Sequence, residues 1–256
     1  MMNPAEFANI AESEQSFWWY RGMRRIMFSL LDPLARERQL DRVAEIGAGT
    51  GHFARELERR YRWRLFPLDL GWEGLAYARG YGVSRLVQAD MCKLPYAAGV
   101  FDAVVSMDVI VHLPRGQEDQ PMAEFARILR PDGLLILRVS ALDILRSRHS
   151  QFAMERQRFS RRRLLALAVQ HGLKPLGVTY ANSLLLPIAL AKFRIWEPLT
   201  RQAPSSGVTP VPAWLDRTLG AALVAESHWI RRGGSFPAGQ SLILIATKGP
   251  APTPGV

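Results

Sequence analysis

The chain has a single cysteine, Cys92, and that scarcity excludes an internal disulfide and a cysteine-built zinc cluster. The histidines, His52, His112, His149, His171 and His228, fall at no ligand spacing, so no metal site is expected. Lysine is scarce too: Lys93, Lys174, Lys192 and Lys248 are the whole set. Long apolar runs are missing too. The longest, Leu184 to Ala191, contains Pro187 and falls far short of the roughly 18 residues of a membrane span, so none is expected. The first residues, MMNPAEFANIAESEQ, lack a basic region followed by an apolar core; no secretory signal is expected, and the expected location is cytoplasmic.

What is present describes an ordinary globular chain. At 256 residues, 48% apolar and 22% charged, it can bury its own core without covalent staples. The net charge of +10 comes from arginine. With abundant alanine, leucine and glycine, this is the usage of a GC-rich genome. A nucleic-acid or membrane-surface partner would also account for it, but charge alone names no partner.

The most informative run is VAEIGAGTGHFARELERR, Val43 to Arg60. A short apolar segment meets glycines at 47, 49 and 51, and a helical pattern follows. Strand, tight turn and helix are the place where an α/β sheet binds a nucleotide-like ligand. His52 stands where a dinucleotide fingerprint has its third glycine. Gly51 is read as letting the following helix pack near the strand. Asp69 ends the next strand candidate, where a carboxylate can accept from two ribose hydroxyls; a helix N-cap is the other reading. Asp90 ends the third, where a carboxylate can accept from an exocyclic amine. Two acids, a glycine turn and no P-loop lysine suit an adenosine without a phosphate chain.

Strand candidates are Val43–Ile46, Leu65–Asp69, Arg85–Gln88, Phe101–Met107 and Leu134–Val139, with helices near 51–61, 72–80 and 118–129 between them. This alternation predicts a parallel sheet with helices on both faces. Pro131-Asp132-Gly133 reads as a turn between helix and strand. SEQSFWWYRGMRRIMFSLLDPL reads as one helix, capped by Ser13 or Ser16. Residues 141–160 read as a loop or mobile segment, and the run from Phe159 as a helix with Ser160 as N-cap and Gly172 as its stop. Residues 201–213 read as a linker or flexible loop and SLILIATK as a last strand.

The segments VAEIGAGTGHFA, PLDLGWEGLAYAR, QADMCKLPYAAGVFDAVVSMDVIVHL and RILRPDGLLILRV together resemble the class I S-adenosylmethionine-dependent methyltransferases over about residues 40–140. FWWYRGMRR, QRFSRRRLLALAVQHGL and Gly239 to Leu242 resemble a bacterial subgroup met in natural-product and cell-envelope gene neighbourhoods. The resemblance implies an α/β, Rossmann-like, seven-stranded, mostly parallel sheet with helices on both faces and an antiparallel last strand. An N-terminal helical cap over 1–40 would precede a methyltransferase domain over 41–249. An acceptor-side insertion would span about 180–235, and a flexible tail 250–256. Val178 to Tyr180 would be the sixth strand and Ser241 to Thr247 the antiparallel one.

The cofactor implied is S-adenosyl-L-methionine. Glu45 would orient the glycine loop or the methionine amine, while Gly47, Ala48, Gly49 and Gly51 would hold the methionine end. Asp69 would bind the ribose, with Leu70 against the adenine. Asp90 would accept from the adenine amine, with Met91 nearby. Ser106, Met107 and Asp108 would end the fourth strand beside the methyl donor. Arg24 is the candidate partner of the cofactor carboxylate. The sequence departs from the pattern at VIVHLP, where Val111 replaces the usual acidic or small residue.

On the acceptor side His112 is the candidate general base; a loop cap is its alternative role. Phe17, Trp18, Trp19 and Tyr20 divide between core anchors and a lid over the site. Arg156, Arg158, Arg161, Arg162 and Arg163 read as a solvated helix start or as the contact for an anionic acceptor. The apolar run 180–196 reads as an acceptor-pocket wall, a dimer contact or a membrane-skimming helix. The expected activity is methyl transfer to O, N or C of a small molecule in bacterial secondary metabolism or cell-envelope glycan or lipid biosynthesis, by a monomer or homodimer. Nucleic-acid methylation and a non-catalytic cofactor-binding role are the alternatives; MDVI in place of an NPPY-type motif argues against the first.

Overall fold

Seven strands, β1 (Arg42–Ile46), β2 (Arg64–Asp69), β3 (Val87–Gln88), β4 (Phe101–Met107), β5 (Leu129–Ser140), β6 (Leu173–Ala181) and β7 (Ser241–Lys248), form one sheet in the computed structural model. The structure describes residues 2–200, 202–208 and 211–250. The strand order is β3-β2-β1-β4-β5-β7-β6. β1 to β5 run parallel, and β7 is antiparallel to both β5 and β6. The order reverses between β1 and β4, and the crevice at such a reversal is where open α/β sheets bind ligands.

The central strands are apolar on both faces because both faces are covered. Val43, Ala44 and Ile46 of β1 and Phe101, Ala103, Val104 and Val105 of β4 are fully buried. On one face lie α5 (Asp119–Ile128) and α7 (Arg161–Gln170), packing Met122, Phe125 and Leu164. On the other lie α2 (Trp18–Glu37), α3 (His52–Tyr61), α4 (Trp72–Gly80) and α10 (Ala213–Arg231), packing Ile26, Met27, Leu57, Ala78 and Leu223. Each of these side chains other than Ala78, taken fully out of water, contributes roughly 1.5–3 kcal/mol.

The structure corrects several expectations. The N-terminal segment forms two helices, α1 (Pro4–Ser13) and α2. Neither Ser13 nor Ser16 caps α2; Asp216 of α10 accepts the Trp18 N–H at 3.0 Å and does that work across the fold. β5 begins at Leu129 rather than Leu134. The Pro131-Asp132-Gly133 turn is absorbed into it as a register shift opposite Phe101 and Ala103, with Asp132 at φ 61°. β3 is shorter than expected, with Arg85 left-handed at φ 57°.

Residues 141–160 are not one loop: they hold a 3-10 turn at Asp143–Leu145 and α6 (Arg148–Phe152), whose capping box is built from Ser147 and Ser150. Ser160 does cap α7, accepting from the Arg163 N–H at 3.3 Å. Between β6 and β7 run α8 (Leu186–Ala191), a π-helical turn (Lys192–Trp196), α9 (Glu197–Thr200) and α10. The described part of the expected 201–213 linker is irregular up to Pro212. Of the expected tail, residues 251–256 lie outside the described residues.

Candidate functional site

The glycine loop is held down from below. The Leu68 carbonyl at the end of β2 accepts the Gly47 and Ala48 N–H groups at 2.7 and 2.9 Å. Gly47 has φ 81°, and a Cβ there would run into the Val109 side chain, so the position is closed to any other residue. Gly49, at φ 54°, is the opposite case: a Cβ would meet nothing within 4 Å, so this rung of the loop faces open space. The neighbour that requires a glycine at 51 is Ala78 of α4, and not the strand as expected.

Carboxylates surround this loop. Asp69 accepts the Gly49 N–H through Oδ2 at 2.8 Å and the Gly71 N–H through Oδ1 at 2.7 Å. The N-cap of α4 is Gly71, so Asp69 bonds the start of that helix without being its cap residue. Glu45 is 3% exposed and its Oε2 has no partner. Burial, reinforced by the charges of Asp69 and Glu14, pushes its carboxyl well above the usual range. Glu14 follows α1: Thr50 of the loop donates to its Oε2 at 2.5 Å, and its Oε1 is unpaired. Burial raises Glu14 to about 7, against the opposing Thr50 hydrogen bond, the nearby Tyr81 hydroxyl and the Arg24 charge. Arg24 donates to the Glu14 backbone carbonyl and is half-buried beside it.

Three acids whose charges reach one another, two of them with an unpaired buried oxygen, make a costly arrangement that a cationic ligand would relieve. Farther along the carboxyl edge, Asp90 is exposed, and its Oδ1 accepts the Cys92 N–H at 2.9 Å. Leu70 is exposed and Met91 half-buried.

The other side of the crevice starts where β4 ends. Met107 is half-buried there. Ser106 is fully buried, with its hydroxyl unpaired. Asp108 sits at φ 56°, a conformation that costs a non-glycine residue of order 1–3 kcal/mol. Arg138 of β5 holds it there: its carbonyl accepts the Asp108 N–H at 2.8 Å, and its guanidinium donates to Oδ2. Oδ1 of Asp108 is buried and free. Trp19 covers the Arg138 guanidinium, 5.2 Å from its ring centroid, and Tyr20 packs edge-on against Trp19. Burial and the nearby Glu6 and Glu14 charges push the Tyr20 hydroxyl up.

His112 lies in the 3-10 turn Ile110–His112, and its Nδ1 is 3.2 Å from the Met154 carbonyl. A carbonyl only accepts, so Nδ1 carries the proton and Nε2 keeps the free lone pair. Burial lowers its pKa, which keeps the ring neutral. The 150s segment is fixed to this turn, since the Val111 carbonyl accepts from the Arg156 and Gln157 N–H groups. The arginine run divides. Arg158 is buried on Glu155, the Ala141 carbonyl and Ser150, and Arg163 pairs with Glu118; Arg156, Arg161 and Arg162 are exposed.

Glu14, Thr50, Arg138 and Met154 were not singled out from the sequence. Each acts on a residue far along the chain, and no local pattern marks such a pairing. Among the described residues no group of His, Cys, Asp and Glu is arranged to hold a metal, and no helix is long and apolar enough to cross a membrane.

Residues 44–137 match the family model described as "Methyltransferase domain". A malonyl-(acyl-carrier protein) O-methyltransferase of Coxiella burnetii is 30% identical over 134 residues, which is 52% of this chain and 43% of that relative. The chain spans less than half the length of such curated relatives. A Haloferax volcanii methyltransferase, solved in complex with the Trm112 methyltransferase activator, superposes with a TM-score of 0.60 at 19% identity over 95% of this chain and 98% of that one. Geranyl diphosphate C-methyltransferase of Streptomyces coelicolor A3(2) gives a TM-score of 0.52 at 16% identity over 81% and 69%. At such identities the two structures speak for the fold alone.

Proposed function

The chain carries a class I S-adenosylmethionine-dependent methyltransferase domain, and from that premise we propose that it moves a methyl group from S-adenosylmethionine to an O, N or C atom of a small molecule. The observation that carries this reading is the open Gly49 rung flanked by Asp69, Glu45 and Glu14. S-adenosylmethionine is cationic at its ammonium and sulfonium, and the unpaired oxygens of Glu45 and Glu14 fit that charge. Asp69 bonds the ribose with the lone pairs its backbone contacts leave, and Asp90 and Leu70 serve the adenine. Arg24 takes the carboxylate.

S-adenosylmethionine brings an already activated methyl group, so the protein's task is alignment in a dry site. Trp19 and Tyr20 exclude water over the end of β4. Nε2 of His112 removes the acceptor's proton where one must leave, and the Met154 carbonyl fixes the tautomer that makes this possible. The free Oδ1 of Asp108 orients the acceptor. The reaction belongs to the cytoplasm, in bacterial secondary metabolism or cell-envelope biosynthesis, carried out by a monomer or homodimer.

The test is transfer of isotope-labelled methyl from S-adenosylmethionine into fractionated extract of the source cells. Label in the small-molecule fraction, dependent on His112, supports the reading. Label confined to RNA, or none in any fraction, contradicts it.

A further inference from the structure

The segment after β6 turns an apolar face to water. Leu184 is 50% exposed, Ile188 58%, Ile195 62%, Trp196 64% and Leu199 74%. All but Leu184, which sits in the turn just before α8, lie along one nearly continuous helical rod from α8 through the π turn to α9. A rod that only covered the sheet would point such residues inward; here it buries little beyond Ala189 and leaves its larger apolar side chains outside. The 3-10 turn Asp143–Leu145 packs against α8 and the π turn and adds an exposed Ile144. Contiguous exposed apolar surface of this kind marks an interaction site.

Charge identifies the occupant. Between 184 and 200 the exposed charges are Lys192 and Arg194. The only acid, Glu197, is turned inward, its Oε2 accepting the Arg148 N–H at 2.9 Å. The whole chain carries +10, so a second copy would meet like charge. An apolar stripe with an interfacial tryptophan and basic neighbours suits a surface that is apolar beneath and anionic on top. The location fits as well. Ala181, Ser241 and Ser140 pair in register, so β6 ends at the same edge as β5 and the rod starts at the carboxyl edge that carries the glycine loop.

We infer that residues 184–199 dock this protein on an anionic lipid surface, with Ile188, Ile195, Trp196 and Leu199 entering the headgroup region and Lys192 and Arg194 meeting lipid phosphates. This does not depend on methyl transfer, and its readout is binding alone.

The experiment is flotation of the full chain with phosphatidylcholine vesicles and with vesicles containing phosphatidylglycerol, at low and high salt. The wild-type chain is expected to float with the anionic vesicles, less so at high salt. Two variants, Ile188→Asp with Ile195→Asp and Lys192→Glu with Arg194→Glu, are expected to bind at least about tenfold more weakly with an unchanged melting temperature, because all four positions are exposed. Failure of the wild type to float, or flotation untouched by both variants, overturns the inference. So does a dimer in sedimentation, lost in the first variant, without vesicle binding: a second copy would then be the occupant.

Discussion

At the scale of single residues the chemistry of the site turns on where unpaired atoms lie. His112 has its Nδ1 committed to Met154 and its Nε2 free. His112→Ala is expected to lower kcat by about 10²-fold or more while leaving the S-adenosylmethionine dissociation constant unchanged. Calorimetry alongside steady-state kinetics checks this, and unchanged turnover would return His112 to a loop cap. Glu14 supplies a pH signature. Its carboxyl lies at about 7 in the fold against an ordinary 4.5, so between those values the folded chain keeps a proton that the unfolded chain has lost. This stabilisation is complete below about pH 4.5 and is lost as pH rises through 7. Glu14→Gln is expected to flatten that part of the stability curve, read from denaturant midpoints across pH. A bound cation reverses the preference. Affinity for S-adenosylmethionine should therefore rise between about pH 6 and about pH 8 with release of a proton, and calorimetry in buffers of different ionisation enthalpy detects that release.

At the scale of elements, α1 and α2 are set in place by the helices they pack on. α1 sits on α4 through Phe7, which is buried against Gly71 and Gly74, while Glu14 just beyond it is tied to Thr50. α2 is braced by α10 at Gly22, where a Cβ would enter the Leu223 side chain, and by the Trp18 and Arg21 contacts to Asp216. Gly22→Ala is expected to lower the melting temperature although alanine is the better helix former, because contact outweighs the roughly 1 kcal/mol of propensity. A higher melting temperature would show that the helices have room to part.

The parallel strands were legible because two-sided burial writes nearly unbroken apolar runs, as in Ala103 to Val105 of β4. The Gly47, Asp69 and Asp90 spacing was legible because each of these residues stands at or just past the end of a parallel strand. α10 went unread although Leu215, Leu219 and Leu223 carry a helical period, since the preceding Pro- and Ser-rich stretch masks its start. The Ser13 or Ser16 cap failed because Asp216 supplies the bond from nearly 200 residues away. Glu14 was invisible for the same reason: its meaning lies in Thr50.

At the scale of the whole molecule, the sheet reads as one body covered on both faces, and ligand binding should register in its unfolding. At ligand 100-fold above the dissociation constant, linkage contributes about 2.7 kcal/mol. A chain of this size is then expected to melt roughly 5–10 °C higher with S-adenosylmethionine. Scanning calorimetry with and without ligand checks this, and an unshifted transition would speak against a site at the carboxyl edge.

The central claim is that the glycine loop and its ring of acids hold S-adenosylmethionine. Titration calorimetry of the wild-type chain and of Gly49→Val tests it most directly. Position 49 is open, so a valine meets no neighbour and costs the fold only its left-handed backbone, about 1–3 kcal/mol, yet it fills the space where the ligand meets the main chain. Saturable binding by the wild type and none by a folded Gly49→Val are expected. Absence of binding by the wild type at physiological ligand concentration, or equal affinity in the variant, would contradict the claim.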